Sequence, residues 1–138
     1  MVLANGASEA IFWFAVVGAG VAALKHLLSP IDTIAELSPI AMRVDSKGHK
    51  TLSSEGLWWG SYCFAAMNVG FCTIGIHAGV TDSVGAKRGL LLGTGVMFEA
   101  FAFAWCMRGP VTGIKNPMSQ CVKVTLFGLL FLAGYALS

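Results

Sequence analysis

Residues 89–107 read GLLLGTGVMFEAFAFAWCM, and whether that stretch lies inside a membrane decides what kind of protein this is. A run of about 20 mostly apolar residues crosses the ~30 Å hydrocarbon core at 1.5 Å rise per residue. The stretch predicts a transmembrane helix. Near its middle sits one ionisable residue, Glu99. A charged side chain at that depth costs about 2.5 to 3.5 kcal/mol on insertion scales, so the carboxyl is expected to face protein or trapped water, protonated or paired, and not lipid.

The rest of the chain agrees with that reading. Of 138 residues, 56% are hydrophobic and 12% charged, against roughly 25% charged in soluble domains. A formal charge of +2 and basic residues scattered over short loops exclude nucleic acid as a partner. The opening MVLANGASEA carries Glu9 and no basic residue, the first being Lys25. It matches neither a secretory signal nor an Arg-rich transit peptide, and the first apolar run is expected to be retained. Cys63, Cys72, Cys106 and Cys121 fall in or beside apolar runs without C-x-x-C or Cys/His metal spacing. Buried free thiols and no metal are the expectation, although Cys63, Cys106 and Cys121 share one membrane side, which leaves a disulfide there open.

Working outward, the chain divides into four spans in one domain: residues 8–28, 57–80, 88–107 and 118–137. The fold class expected is all-α, a polytopic antiparallel bundle. Ser8 is the expected cap of the first span, with Glu9 in its first turn and Lys25 and His26 in its last, matching the helix dipole. Ser29-Pro30-Ile31-Asp32 then has the form of a helix start. A short interfacial helix is expected through Leu37, with Ile31, Ile34 and Leu37 toward the acyl chains, until Ser38-Pro39 breaks it. Arg43 to Thr51, RVDSKGHKT, reads as a solvated loop turning at Ser46 to Gly48. The second span follows a cap at Ser53 or Ser54 with Glu55 behind it, and opens with Trp58, Trp59 and Tyr62, aromatics suited to the headgroup level. Thr81 to Ala86 is a tight connection, and the third span is expected to stop at Arg108-Gly109-Pro110.

Basic residues divide unevenly between the two sides. Lys25, Arg43, Lys47, Lys50, Arg108 and Lys115, with Lys123 just inside, lie on the side of the first and third loops; Lys87 and Arg88 lie opposite. The positive-inside rule puts the first and third loops on the cytoplasmic, matrix or stromal side.

Few residues offer chemistry. Counting from the basic side at ~1.5 Å per residue, Glu99 lies about 12 Å deep, Asn68 about 16 Å and Lys123 about 7 Å. Asn68 and Lys123 are thus the expected receivers of Glu99, as a buried clamp or as the lining of a ligand pocket. His77 lies near the far end of the second span, where it could ligate a haem or chlorophyll; no second histidine shares its depth, which disfavours a bis-His haem, and packing or an interface role is the favoured expectation. Glycines recur four apart at Gly56/Gly60, Gly75/Gly79 and Gly85/Gly89/Gly93, faces that let helix backbones approach, within this chain or against a partner subunit. Hydrolase, metalloprotease and phosphate-loop signatures are absent from the sequence, so a non-enzymatic protein is expected.

The layout of one span, a proline directly after it, a polar first loop holding a short helix and three closely connected spans resembles the DoxX-like group of small four-helix membrane proteins. The residues behind the likeness are Leu27-Leu28-Ser29-Pro30, Ser54-Glu55-Gly56 and the Gly89-x-x-x-Gly93 face. The resemblance implies a fold and transfers no site. The first functional expectation is an accessory subunit of a larger energy-transducing membrane complex, in a mitochondrial inner or plastid membrane in preference to a bacterial inner membrane or the endoplasmic reticulum. Its partners would be membrane lipids and other membrane subunits. The alternative is a four-helix protein holding a small lipophile, a quinone, lipid, sterol or pigment such as chlorophyll or a carotenoid. A transporter is disfavoured because no polar stripe or inverted repeat is visible.

Overall fold

The computed structural model describes residues 5–37, 42–44, 46–48, 50–52, 58–112 and 117–138. They form α1 (Gly6–Leu28), α2 (Pro30–Leu37), the strands β1 (Met42–Val44) and β2 (Lys50–Leu52), and a π-helical turn (Trp58–Cys63) leading into α3 (Phe64–Val80). Then come α4 (Val84–Thr112) and α5 (Pro117–Ala136). Gly6–Leu28, Gly60–Val80 and Met118–Ala136 are long and apolar enough to cross a membrane. The fold is that of a helical membrane protein.

The helix ends show why each element starts where it does. Asn5 caps α1, its Oδ1 accepting from Ala7 N at 2.9 Å. Ser8, the expected cap, is instead buried inside the helix, its hydroxyl donating to the Gly134 carbonyl at 2.7 Å. Asn serves as a cap as well as Ser does, which frees Ser8 to tie α1 to α5. The Ser29 carbonyl opens α2 by accepting from Thr33 N at 3.1 Å and Thr33 Oγ1 at 2.8 Å. Helix α2 ends at Leu37 as expected, but Ile34 does not face acyl chains. It is 6% exposed, and its Cδ1 fills the space beside Gly60. Ile31 does point outward.

The first loop is more than a solvated turn. Met42 pairs with Leu52, Arg43 with Thr51 and Val44 with Lys50, and Gly48 adopts the positive φ of 82° that the reversal needs. The expected cap at Ser53 and Ser54, together with Glu55 and Gly56, lies outside the described residues.

Helix α3 gives way to α4 almost at once. Ser83 N donates to Ala78 O at 3.0 Å, Asp82 takes a left-handed φ of 53°, which aspartate adopts more readily than most residues, and Ser83 Oγ accepts from Ala86 N at 3.4 Å. With that cap in place α4 begins at Val84, ahead of the expected start, and draws Lys87 and Arg88 into its first turns. At its far end it runs through Pro110 to Thr112. A proline so near the end removes one backbone donor, and only the last turns feel the loss.

Missing side chains set the helix spacing. A methyl group at Gly75 or Gly79 would collide with Val16 or Trp13, so α1 lies close on α3. One at Gly95 would fall 2.7 Å from Leu132 Cγ, and one at Gly128 would run into Glu99, so α4 lies close on α5. Phe12, Val16, Ala78, Leu91 and Phe131 form the shared core beside the α3–α4 turn, where the two helix pairs meet. A smaller cluster of Ala102, Cys121 and Val124 belongs to the α4–α5 pair alone.

Candidate functional site

Glu99, on α4, packs against Gly128 of α5 in the slot that the glycine leaves open. Its Oε1 is buried with no hydrogen-bond partner among the described residues. Neither expected receiver meets it. Asn68 Nδ2 donates to the Phe64 carbonyl at 2.8 Å, one turn back on its own helix, and Lys123 is exposed on α5. The Glu99–Lys123–Asn68 clamp is therefore not formed. An amide inside an apolar helix can always find the backbone carbonyl four residues before it, and that local bond wins over a distant carboxylate. Beside Glu99, Phe98 lies 5.9 Å from Phe127 and 5.5 Å from Phe131, and Phe14 of α1 stacks at 6.2 Å and 6.3 Å on the same two rings.

His77 is exposed near the end of α3, and its backbone carbonyl accepts from Thr81 N at 2.9 Å and Thr81 Oγ1 at 2.7 Å. The glycine faces divide. Gly60, Gly75 and Gly79 meet neighbours within the chain, whereas Gly85, Gly89 and Gly93 have nothing among the described residues within 4 Å of where a side chain would start. The longest glycine repeat in the sequence is thus one that the described residues leave uncovered, and Gly95, Gly128 and Gly134, which do pack, belong to no four-residue repeat.

Two polar clusters escaped sequence reasoning. Lys87, 2% exposed, places its three ammonium donors on Glu9 Oε1 at 2.8 Å, Glu9 Oε2 at 3.0 Å and Asp82 Oδ1 at 2.7 Å. Trp13 Nε1 adds a bond to Glu9 Oε1 at 3.0 Å, and the Phe12 ring lies 5.7 Å from the ammonium. The available signal was that Glu9, Asp82 and Lys87 all fall at the same end of the expected bundle. At the opposite end of α1, His26 Nδ1 lies 3.1 Å from Ser61 Oγ, and that hydroxyl donates to the His26 carbonyl at 3.0 Å. A serine has one proton to give, so Nδ1 is the nitrogen that donates to it.

The cysteines also divide. Cys106 and Cys121 form a disulfide, while Cys63 and Cys72 are free; the expectation of free thiols fails for the first pair because α4 and α5 bring their ends side by side. Between α1 and α3 a mostly apolar groove of about 250 Å³ is lined by Gly20, Ala23, Leu24 and Leu27 of α1 and by Val69, Cys72 and Thr73 of α3. Neither Glu99 nor Asn68 lines it. No group of three metal-ligating side chains occurs among the described residues. No family model, curated protein or solved structure matches the chain.

Proposed function

We propose that this is a non-enzymatic membrane protein crossing the bilayer four times, as an antiparallel bundle, and serving as an accessory subunit of a larger membrane assembly. The observation that carries this reading is the uncovered glycine stripe. Gly85, Gly89 and Gly93 are open on one face of α4, while Leu91, Gly95 and Glu99 on another face are packed. A small-residue face on a lipid-immersed helix is where a second helix can approach closely. The four-span arrangement is supported by the contact order: Trp13, Val16 and Gly20 meet Gly79, Gly75 and Cys72 in turn, and Leu91, Gly95 and Glu99 meet Gly134, Leu132 and Gly128. The proposed setting is an energy-transducing organellar membrane, with the first and third loops on the matrix or stromal side. That orientation rests on the tally of basic residues, in which Lys87 and Arg88 are the two on the opposite side.

Extraction of the native membrane in mild detergent, followed by native electrophoresis, tests the proposal. The chain is expected within a larger complex, and Gly89→Leu is expected to release it as a monomer. A wild-type chain found only as a free monomer overturns the reading.

The α1–α3 groove favours a second reading, in which the chain holds a lipophile. Co-purified lipid or pigment, followed by mass and absorbance, would then be lost on Gly20→Phe, which fills the groove.

A further inference from the structure

The disulfide ties the last turns of α4 to the first turns of α5, with Cα atoms 5.9 Å apart across a sequence separation of 15. Its two sulfur atoms have different surroundings. Cys106 is exposed. Cys121 is 8% exposed, packed with Ala102 and Val124, and its Sγ lies 3.4 Å from the Ala102 carbonyl oxygen. As a disulfide sulfur it has no proton to offer that carbonyl; as a thiol it would have one. Reduction would give Cys121 a proton to share with this carbonyl, which lies within α4 and keeps a second lone pair beyond its helical bond. Exposed disulfides are the exchangeable ones, because thiol–disulfide exchange requires an incoming thiolate to reach one sulfur in line with the bond it breaks.

We propose that Cys106–Cys121 is a thiol–disulfide exchange site, attacked at Cys106 by a dithiol and poised to release Cys121 as a thiol bonded to the Ala102 carbonyl. The incoming thiolate forms a new S–S bond to Cys106 Sγ while the Cys106–Cys121 bond breaks. The electron pair goes to Cys121 Sγ, which takes up a proton. The second sulfur of the dithiol then attacks its own mixed disulfide, Cys106 leaves and is protonated, and the dithiol departs as a cyclic disulfide. Two electrons and two protons have passed to the chain. Reduction removes the covalent tie at one end of the α4–α5 contact and leaves the apolar contact of Ala102 with Val124 in place, so the site switches the clamp without dismantling the pair. This inference stands on the two sulfurs and is independent of any partner subunit.

The test uses the full chain in its membrane, with Cys63→Ser and Cys72→Ala removing background thiols and the unsubstituted protein run alongside. Dithiothreitol added to the folded protein is expected to make both thiols alkylatable by a mass-adding maleimide. Cys121→Ser, which leaves Cys106, is expected to react with an aromatic disulfide probe about ten-fold faster or more than Cys106→Ser, which leaves Cys121, because access governs the rate. A disulfide reduced only after the protein is denatured, or equal probe rates for the two variants, would overturn the proposal. The dithiothreitol measurement on the unsubstituted cysteines decides the matter even if either variant fails to fold.

Discussion

Two glutamates enter apolar surroundings in this molecule, and they are held in opposite ways. Glu9, in the first turn of α1, gives both carboxylate oxygens to Lys87 and one of them also to Trp13. Glu99, near the middle of α4, has one oxygen packed over Gly128 with no donor among the described residues. The difference comes from what each can reach. At the end of the bundle a turn of three residues, Thr81 to Ser83, brings Asp82 and Lys87 up to the start of α1, so a cation and two carboxylates meet at hydrogen-bonding distance. Half-way along the helices the neighbours are glycine and phenylalanine. A carboxyl there finds space and no partner.

The comparison breaks most visibly at Lys87. Replacing one partner of a buried ion pair leaves the others uncompensated and usually costs about 3 to 5 kcal/mol. Lys87→Met is therefore expected to lower the unfolding midpoint in detergent by more than any of the other substitutions here, because Glu9 and Asp82 both lose the ammonium that links α1 to the α3–α4 turn. A midpoint within a degree or so of the wild type would mean that water reaches this cluster freely and that Lys87 holds nothing together.

A second contrast separates packed from open glycines on the same measurement. Gly79→Leu drives a side chain into Trp13, and overpacking of this kind typically costs about 1 to 3 kcal/mol. Gly89→Leu meets open space and is expected to leave the isolated chain unchanged while disrupting the native assembly. Equal loss of stability from both would place Gly89 in a contact within the chain and remove the main support for a partner helix.

These contrasts also mark how far the sequence could be read. Apolar length placed α1, α5, and α3 counted with the π-helical turn before it, to within a few residues, because the thickness of a bilayer leaves little freedom. The start of α2 was legible in Ser29-Pro30, where cap and ring chemistry act locally. What failed was everything decided by which helix lies beside which. Four-residue spacing picked out Gly75 and Gly79, which meet Val16 and Trp13, together with Gly85, Gly89 and Gly93, which meet nothing among the described residues, and it passed over Gly95 and Gly128; spacing alone cannot tell a covered face from a bare one. Lys87 read as a loop charge because its partner Glu9 lies 78 residues away. The pairing of Cys106 with Cys121, in preference to Cys63, depended on the same unseen adjacency.

The smallest expected effect is the one that tests the opening comparison most directly. Glu99→Gln keeps the size and shape of the side chain over Gly128 and removes the chance of a charge. Since no ion pair or hydrogen bond to Glu99 Oε1 exists among the described residues, the change removes no favourable contact of that oxygen, and the unfolding midpoint is expected to move by the equivalent of about 1 kcal/mol or less, the scale of one ordinary hydrogen bond. A loss approaching that of Lys87→Met would show the carboxyl to be held by a charged group, and Lys123, five residues before Gly128 on α5, would be the first to examine by the double substitution with Lys123→Met. If the pair acts together, the second change would add little to the first. If the losses simply add, Glu99 is held by something other than Lys123, and the two glutamates differ in partner and no longer in whether they have one.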